Sequence, residues 1–250
     1  MVLLRDQDGR PDELWCRADH GPHGYLSIAA HAHADALAVE VRVGGVDLLA
    51  DPGTFCYGAD PVWRAYFRST VAHNTLEVGG VDQSVAAGPH LWTRQARAEL
   101  ELATGLDGGP VAEWQAAHHG YRRLRPPAVH RRSVRLDRPA RRLVVEDRLD
   151  TRGGHDCRLA FHLGPEIACV LVGDQALLEW RVEHGRRRAT LDLPGELAWE
   201  RLEGRTDPPA GWYSPAFDVR VPTVTLLGRG RVGGGQGLRT VLQLDPGSTP

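Results

Sequence analysis

The side chains best suited to chemistry are concentrated in the first third of the chain. His31, His33 and Asp35 occupy alternate positions, which on a strand would place them on one face. Asp51 and His73 follow in the same segment. Zinc binds neutral imidazole nitrogens and carboxylate oxygens, commonly with three protein ligands and one open position. Two histidines and one aspartate satisfy that requirement: Asp51, His73 and one member of the H-x-H pair, and spacing alone does not decide which member.

The elements that must position these groups are predicted to be strands. Residues 38–43 alternate apolar valines with Glu40 and Arg42, and Gly44-Gly45 then precedes a second apolar run over 46–51. This pattern predicts a hairpin with a two-residue turn that requires positive φ. The same device is predicted over 75–84, with Gly79-Gly80 at its turn. Further strands are predicted over 97–103, 133–137, 142–149, 157–163, 176–183, 188–193 and 239–244.

Helix is predicted at one place only. Residues 60–68 begin with Asp60, a suitable N-cap, and Pro61, which suits the first helical position. The segments 204–215 and Gly228–Gly237 are predicted to be loops because they are rich in glycine and proline. These patterns favour an all-β fold, a large antiparallel β-sandwich with at most one or two short helices.

Composition excludes several classes of function. The 30 basic residues, all arginine, and the 32 acidic residues give a net charge of −2, so we expect no nucleic-acid partner. No apolar stretch approaches the roughly 20 residues of a membrane helix, and the apolar run near the amino terminus is too short for a signal-peptide core. We therefore expect no membrane partner. The four cysteines form no C-x-x-C pair and are expected to be buried thiols.

Taken in order, the motifs H-x-H (31–33), D-P-G-T (51–54) and A-H-N-T (72–75) resemble those of the heparinase II/III-like family of polysaccharide lyases. A cupin also carries H-x-H, but its glutamate follows soon after, whereas Glu40 here comes seven residues after His33. Later segments extend the resemblance over most of the chain: HHGYRRL (118–124), HRRSVRL (130–136), LVVEDRL (143–149), FHLGP (161–165) and GWYSP (211–215).

The resemblance implies specific roles for residues of this chain. In the family, the positions that match His33, Asp51 and His73 bind zinc, and the position that matches His31 faces the substrate cleft. Tyr66 matches a cleft tyrosine of alginate-lyase relatives, with Tyr57 as a less certain neighbour. The resemblance thus implies His31 and Tyr66 as catalytic residues, and we expect both to line the open face of the metal site.

The resemblance also implies an architecture: an N-terminal α/α toroid followed by β-sandwich domains. Residues 1–250 match only the β part, so we expect the toroid, with its base and carboxylate-neutralising groups, to be absent from this chain. A subdivision near residue 165 would separate a metal-bearing sandwich (1–165) from a C-terminal β subdomain (166–250). Family members are typically periplasmic or secreted.

Two hypotheses for function follow. The first is a lyase β-domain that acts on acidic, uronate-containing polysaccharides by β-elimination. The second is a catalytically incomplete, zinc-stabilised sandwich that binds glycan or a separately encoded toroid partner. Outside the motifs, Arg64 and Arg68 are expected to be solvated charges. The remaining candidate histidines are expected to lack close partners: His118, His119, His130 and His162.

Overall fold

The computed structural model describes residues 1–6, 9–24, 29–183 and 185–245. It contains one α-helix, α1 (Pro61–Arg68), and two 3₁₀ turns, Thr70–Ala72 and Gly120–Arg123. The strands in chain order are β1 (Val2–Arg5), β2 (Leu14–Ala18), β3 (Val39–Val43), β4 (Val46–Leu49), β5 (Leu76–Val78), β6 (Val85–Ala86), β7 (Trp92–Arg94), β8 (Ala98–Thr104), β9 (Val111–His118), β10 (Ala128–Asp137), β11 (Arg142–Thr151), β12 (Gly154–His162), β13 (Ala168–Val172), β14 (Gln175–Val182), β15 (Gly185–Asp192), β16 (Ala198–Glu203), β17 (Arg205–Thr206), β18 (Pro209–Ala210), β19 (Trp212–Ala216), β20 (Val219–Pro222), β21 (Val224–Gly233) and β22 (Gly237–Leu244).

These strands form three main antiparallel sheets. An eight-stranded sheet has the order β13-β14-β15-β22-β11-β10-β9-β8, and two four-stranded sheets have the orders β1-β2-β3-β4 and β16-β21-β12-β5. Three two-stranded hairpins complete the fold: β6–β7, β17–β18 and β19–β20. The prediction of an all-β antiparallel sandwich is confirmed.

One large apolar core joins the three sheets. Val41 from the first four-stranded sheet, Trp114 from the eight-stranded sheet and Phe161 from the second four-stranded sheet are fully buried in the same cluster. Strands with one buried face alternate as expected, and β10 reads buried and half-exposed in turn along most of its length. The core therefore fixes the relative positions of the strand ends, and the loops that carry the chemistry start from those ends.

Two local predictions are confirmed in detail. Val43 pairs with Val46 across the turn between β3 and β4, and both turn glycines have positive φ, +56° and +82°. At α1, the Asp60 carboxylate accepts hydrogen bonds from the amides of Val62 and Trp63, which satisfies donors that the first helical turn leaves free. The helix ends at Arg68, as expected.

Other local predictions were wrong. His31 and His33 lie in a loop between β2 and β3 rather than on a strand. The predicted hairpin over 75–84 consists of β5 followed by a single bridge between Val78 and Val81, because the chain after that bridge leaves the sheet. The segment 204–215 is not wholly loop, since it contains β17, β18 and the start of β19.

The glycine-rich segment Gly228–Gly237 was also predicted wrongly, because β21 continues to Gly233 and β22 begins at Gly237. An added Cβ on Gly228 would lie 2.7 Å from the Trp199 ring, and one on Gly230 would lie 2.8 Å from Leu197. These glycines therefore allow close packing over a strand instead of marking a loop. The eight-stranded sheet includes strands from both sides of residue 165, and the boundary proposed there stays a prediction.

The described part of the chain contains no helix that is long and apolar enough to cross a lipid bilayer. All four cysteines are free thiols, three of them buried, as expected from their spacing.

Candidate metal centre

Three segments bring the candidate ligands together. His33 lies in the loop before β3, Asp51 follows β4, and His73 follows the 3₁₀ turn that ends at Ala72. β3 and β4 are neighbours in one sheet, and the amide of Ala50 donates to the carbonyl of His162 in β12 at 2.9 Å. The end of β4 is therefore tied to the sheet that contains β5, the strand that follows His73.

The donor atoms of Asp51 and His73 are in contact, and the ring of His33 lies next to that of His73. His73 Nδ1 lies 2.9 Å from Asp51 Oδ2, and the rings of His33 and His73 are 5.2 Å apart between centroids. His73 is fully buried, His33 is 8% exposed and the Asp51 side chain is 31% exposed. Asp51 therefore faces the solvent side of the centre, with the two imidazoles behind it.

The protonation of these groups follows from burial and from their mutual charge. Burial, with the nearby charge of His73, lowers the pKa of His33 to about 3, so its imidazole is neutral at pH 7. Burial alone would raise the pKa of Asp51, but the charge and hydrogen bond of His73 hold it below its ordinary value. Burial opposes protonation of His73, yet Asp51 raises its pKa. Asp51 and His73 therefore each favour the charged form of the other, and His33 beside them is neutral.

The three donors that meet most closely include Asp35 in place of His33. Asp35, Asp51 and His73 each offer a donor atom, and these atoms lie within 4.8 Å of one another. Burial raises the pKa of Asp35 to about 6. Asp35 is close to the two histidines in the sequence, but its spacing did not indicate a ligand. The conformation of the loop brings its carboxylate close to Asp51 and His73.

Backbone geometry at D-P-G holds the Asp51 carboxylate. The Gly53 amide donates to Asp51 Oδ1 at 2.9 Å, which leaves Oδ2 directed at His73. Gly53 has φ of +83°, and a Cβ there would lie 2.5 Å from the carbonyl oxygen of Ser214. Glycine is therefore required beside the ligand.

Asn74 positions His73 from the other side. Its Nδ2 donates to the carbonyls of Val39 and Ala50 at 2.9 and 3.0 Å, and its Oδ1 accepts from the amide of His162 at 2.6 Å. The side chain is 1% exposed, so these three bonds replace bonds to water. The A-H-N-T motif contained this residue, but nothing in the spacing indicated its role.

His31 lies beside the centre and is exposed. Its Nδ1 is 3.1 Å from the hydroxyl of Tyr57, and the two rings meet edge to face at 5.2 Å. A cavity of about 310 Å³ is lined by His31, His33, Asp35 and Asp51. His31 therefore lines the same cavity as His33 and Asp51, whereas His73 does not line it, and the catalytic role of His31 stays a prediction.

Tyr66 is placed differently from the expectation. It is 7% exposed and packs against Trp63 and Phe67 in the aromatic cluster of α1, and it does not line the cavity of His31. Burial raises the pKa of its phenol above the ordinary value. Its catalytic role stays a prediction, and Tyr57 is the tyrosine that contacts His31.

The expectation that Arg64 and Arg68 are solvated was wrong. They are 2% and 4% exposed, because α1 packs them under the tip of the β6–β7 hairpin. There Arg64 donates to the carbonyl of Pro89 and Arg68 to that of Gly88. Arg64 also lies 5.0 Å below the Tyr57 ring.

The histidines expected to lack partners have them. His130 Nδ1 lies 3.1 Å from His118 Nε2, and His130 Nε2 lies 2.6 Å from Asp147 Oδ1. Arg132 donates two hydrogen bonds to the Asp147 carboxylate. This network is fully buried, and Arg132 also donates to the carbonyl of Leu37, which ends the loop of His33. The same network therefore reaches the backbone around the candidate centre. The other two histidines also have partners: His162 contacts Thr225 and the Val71 carbonyl, and His119 contacts Glu99.

The donor set fits a zinc ion. Two imidazoles and one carboxylate are ligands of the type and number that zinc takes in sites with an open position. His73 Nδ1 faces Asp51 Oδ2 at 2.9 Å, and His33 is neutral, as a ligand must be. Asp51 is partly exposed and lines the cavity together with His33.

The family is shown by sequence. The model of the heparinase II/III-like C-terminal domain matches residues 3–241, so the chain belongs to the heparinase II/III-like family through this domain. A search of curated proteins found no match.

Solved structures share the fold. The heparan sulfate lyase HepC from Pedobacter heparinus superposes with a TM-score of 0.76 at 15% identity, over 99% of this chain and 35% of its own. A heparinase III superposes with a TM-score of 0.74 at 17% identity, over 99% of this chain and 36% of its own. The chain thus spans about a third of the length of the lyases it resembles.

Proposed function

We propose that this chain is the β-domain of a polysaccharide lyase that cleaves uronate-containing glycans by β-elimination. The observation that carries the proposal is the contact between Asp51 and His73, with the His33 ring beside His73, next to a cavity that His33, Asp51 and the exposed His31 line. Membership of the heparinase II/III-like family supports the same reaction class. The titles of the similar structures name heparan sulfate lyase and heparinase III, so an acidic glycan is the proposed substrate class.

In β-elimination a base removes the proton next to the uronate carboxylate, and an acid protonates the oxygen that leaves. His31 has the position for proton transfer, because its ring is exposed at the cavity and its Nδ1 is oriented by the Tyr57 hydroxyl. An imidazole can accept or donate a proton near neutral pH. We assign His31 the donation of a proton to the leaving oxygen, since the base is expected on the toroid. We assign Tyr57 the orientation of the His31 ring. Tyr66, implied by the resemblance, is instead in the core of α1.

We propose zinc as the ion held by His33, Asp51 and His73. Bound there, zinc would supply positive charge close to the cavity, where negative charge develops during elimination. Gly53 and Asn74 hold two of its ligands in place through the hydrogen bonds described above. Elimination consumes no water, so no metal-activated water is needed for this role.

The second function is a non-catalytic sandwich that binds glycan or an α/α toroid partner. The domain matched here is about a third of each similar lyase, and the toroid of such a lyase can belong to the same protein or to another chain. The groups that neutralise the carboxylate and abstract the proton are expected on the toroid. A positioned acid or base contributes about 10²–10⁴-fold and a charge-stabilising donor about 10²–10³-fold. We therefore expect the chain by itself to eliminate close to the detection limit.

The test is an assay of unsaturated uronate by ultraviolet absorbance. The chain is incubated with a panel of uronate polymers, alone and with a separately produced α/α toroid of the kind that the family resemblance implies. We expect elimination only in the mixture, with loss of at least about 10²-fold in His31→Ala. The matched control is His119→Ala, a histidine on another face that contacts Glu99. Robust elimination by the chain alone would show that it contains the base, and no elimination in any mixture would favour the binding module.

A further inference from the structure

The β19–β20 hairpin is attached to the D-P-G loop of the candidate centre. The amide of Ser214 donates to the carbonyl of Pro52 at 2.8 Å, next to Asp51. Further along the hairpin, the amide of Asp218 donates to the carbonyl of Phe55, also at 2.8 Å. Two backbone bonds therefore hold the hairpin against the segment that contains Asp51 and Thr54, which line the cavity.

The tip presents an aromatic ring that the core does not use. Phe217 is 60% exposed, and no other phenylalanine or tryptophan of the described residues is classed as exposed. Its ring stacks on Tyr57 at 5.6 Å and 28°. Tyr57 in turn contacts His31. The three rings make a continuous row from the exposed Phe217 to the candidate acid–base residue His31.

A cation lies on the same hairpin. Arg220 is half-buried, with its guanidinium held 3.9 Å from the Trp63 ring, 4.9 Å from Phe55 and 5.3 Å from Trp212. No carboxylate of the described residues forms an ion pair with it. Stacking on three rings fixes the plane of the guanidinium, and a fixed planar fork of donors suits a carboxylate or a sulfate.

We propose that the β19–β20 hairpin forms a subsite for one acidic sugar unit, with its ring on Phe217 and its carboxylate or sulfate on Arg220. The proposal rests on the proposed function, because the row of rings leads from this subsite to His31. One face of the Phe217 ring is open to solvent, and the Arg220 guanidinium has no carboxylate partner among the described residues, so both groups can contact a ligand. An acidic pyranose supplies both an apolar ring face and an anion, so it matches both groups.

The test is calorimetric binding of tetrasaccharides to the whole chain without a toroid partner. The probes are a heparan sulfate tetrasaccharide, its desulfated form, and that form with its carboxyls reduced. Phe217→Ala should weaken binding of the first probe by about 2- to 10-fold, the range expected for one ring contact. Arg220→Gln should weaken it by about tenfold and should leave the neutral probe unaffected. Comparison of the sulfated probe with the desulfated probe shows whether Arg220 binds the sulfate or the carboxylate.

Matched controls are Leu177→Ala, an exposed apolar residue on β14, and Arg229→Gln, an exposed arginine paired with Glu200. Both should bind like the wild type, and thermal melts of Arg220→Gln should show that it folds. Unchanged binding in Phe217→Ala and Arg220→Gln, with elimination still dependent on His31, overturns the subsite and leaves the proposed function intact. Loss of self-association in Phe217→Ala with unchanged glycan binding overturns it too, because the ring would then contact a second copy.

Discussion

Asp51 shows how a single carboxylate is prepared as a ligand. One oxygen accepts the amide of Gly53 and the other faces His73, so the carboxylate cannot rotate freely. Positive φ at Gly53 and the nearby Ser214 carbonyl make this turn possible only with glycine. The order of the H-x-H, D-P-G and A-H-N-T motifs predicted that Asp51 and His73 lie close together. The alternate spacing of His31 and His33 is typical of a strand, but the chain forms a loop there.

Gly53→Ala should therefore destabilise the fold and the centre together. The added Cβ meets backbone rather than a mobile side chain, and the left-handed φ adds strain, so we expect a loss of about 1–3 kcal/mol. Denaturant unfolding measures the loss. Gly58→Ala in the same segment is the control, because an added Cβ there meets nothing within 4 Å. Equal stability of the two variants would contradict the account of the turn.

At the scale of elements, one buried amide joins three strands. Asn74 bonds the backbone of β3, the residue after β4 and the last residue of β12. Strands with clean alternation, such as β3 and β11, were predictable from sequence. The glycine-rich end of β21 was not, because its glycines serve to accommodate Trp199 and Leu197, and such contacts are visible only between strands.

Asn74→Ala should cost about 3 kcal/mol, since it leaves two carbonyls and one amide in the core without partners. The change should also move the segment of His73, which adjoins it. Thermal unfolding in the presence of a chelator measures the structural part alone. Gln243→Ala, which removes an amide bonded to the Ala140 carbonyl in a more exposed position, should cost much less. A loss no larger than that of the control would show that Asn74 does not join the strands.

At the scale of the whole molecule, the buried network of His118, His130, Asp147 and Arg132 makes stability depend on pH. Burial and the charge of His130 lower the pKa of His118 well below 6.5, and burial lowers that of His130 despite Asp147. Below about pH 6.5 the unfolded chain binds protons that the folded chain does not, so stability falls as pH falls. The sequence indicated no close partner for these histidines, because it does not give the pairing register of β9 and β10 that brings them together.

His118→Gln should reduce this dependence, because glutamine keeps hydrogen-bonding groups and has no proton to bind. We expect a smaller loss of melting temperature between about pH 7.5 and pH 5.5 than in the wild type. His119→Gln, at the neighbouring and more exposed position, should retain the wild-type loss. An unchanged slope in His118→Gln would mean that other groups set the acid sensitivity.

Elemental analysis of the chain purified without chelator tests the proposed zinc site most directly. We expect about one zinc per chain in the wild type. His73→Ala should contain none, while His119→Ala, matched in residue type, should retain the metal. Circular dichroism should show that both variants are folded. A folded wild-type chain without zinc, or a His73→Ala variant that keeps its zinc, would contradict the account.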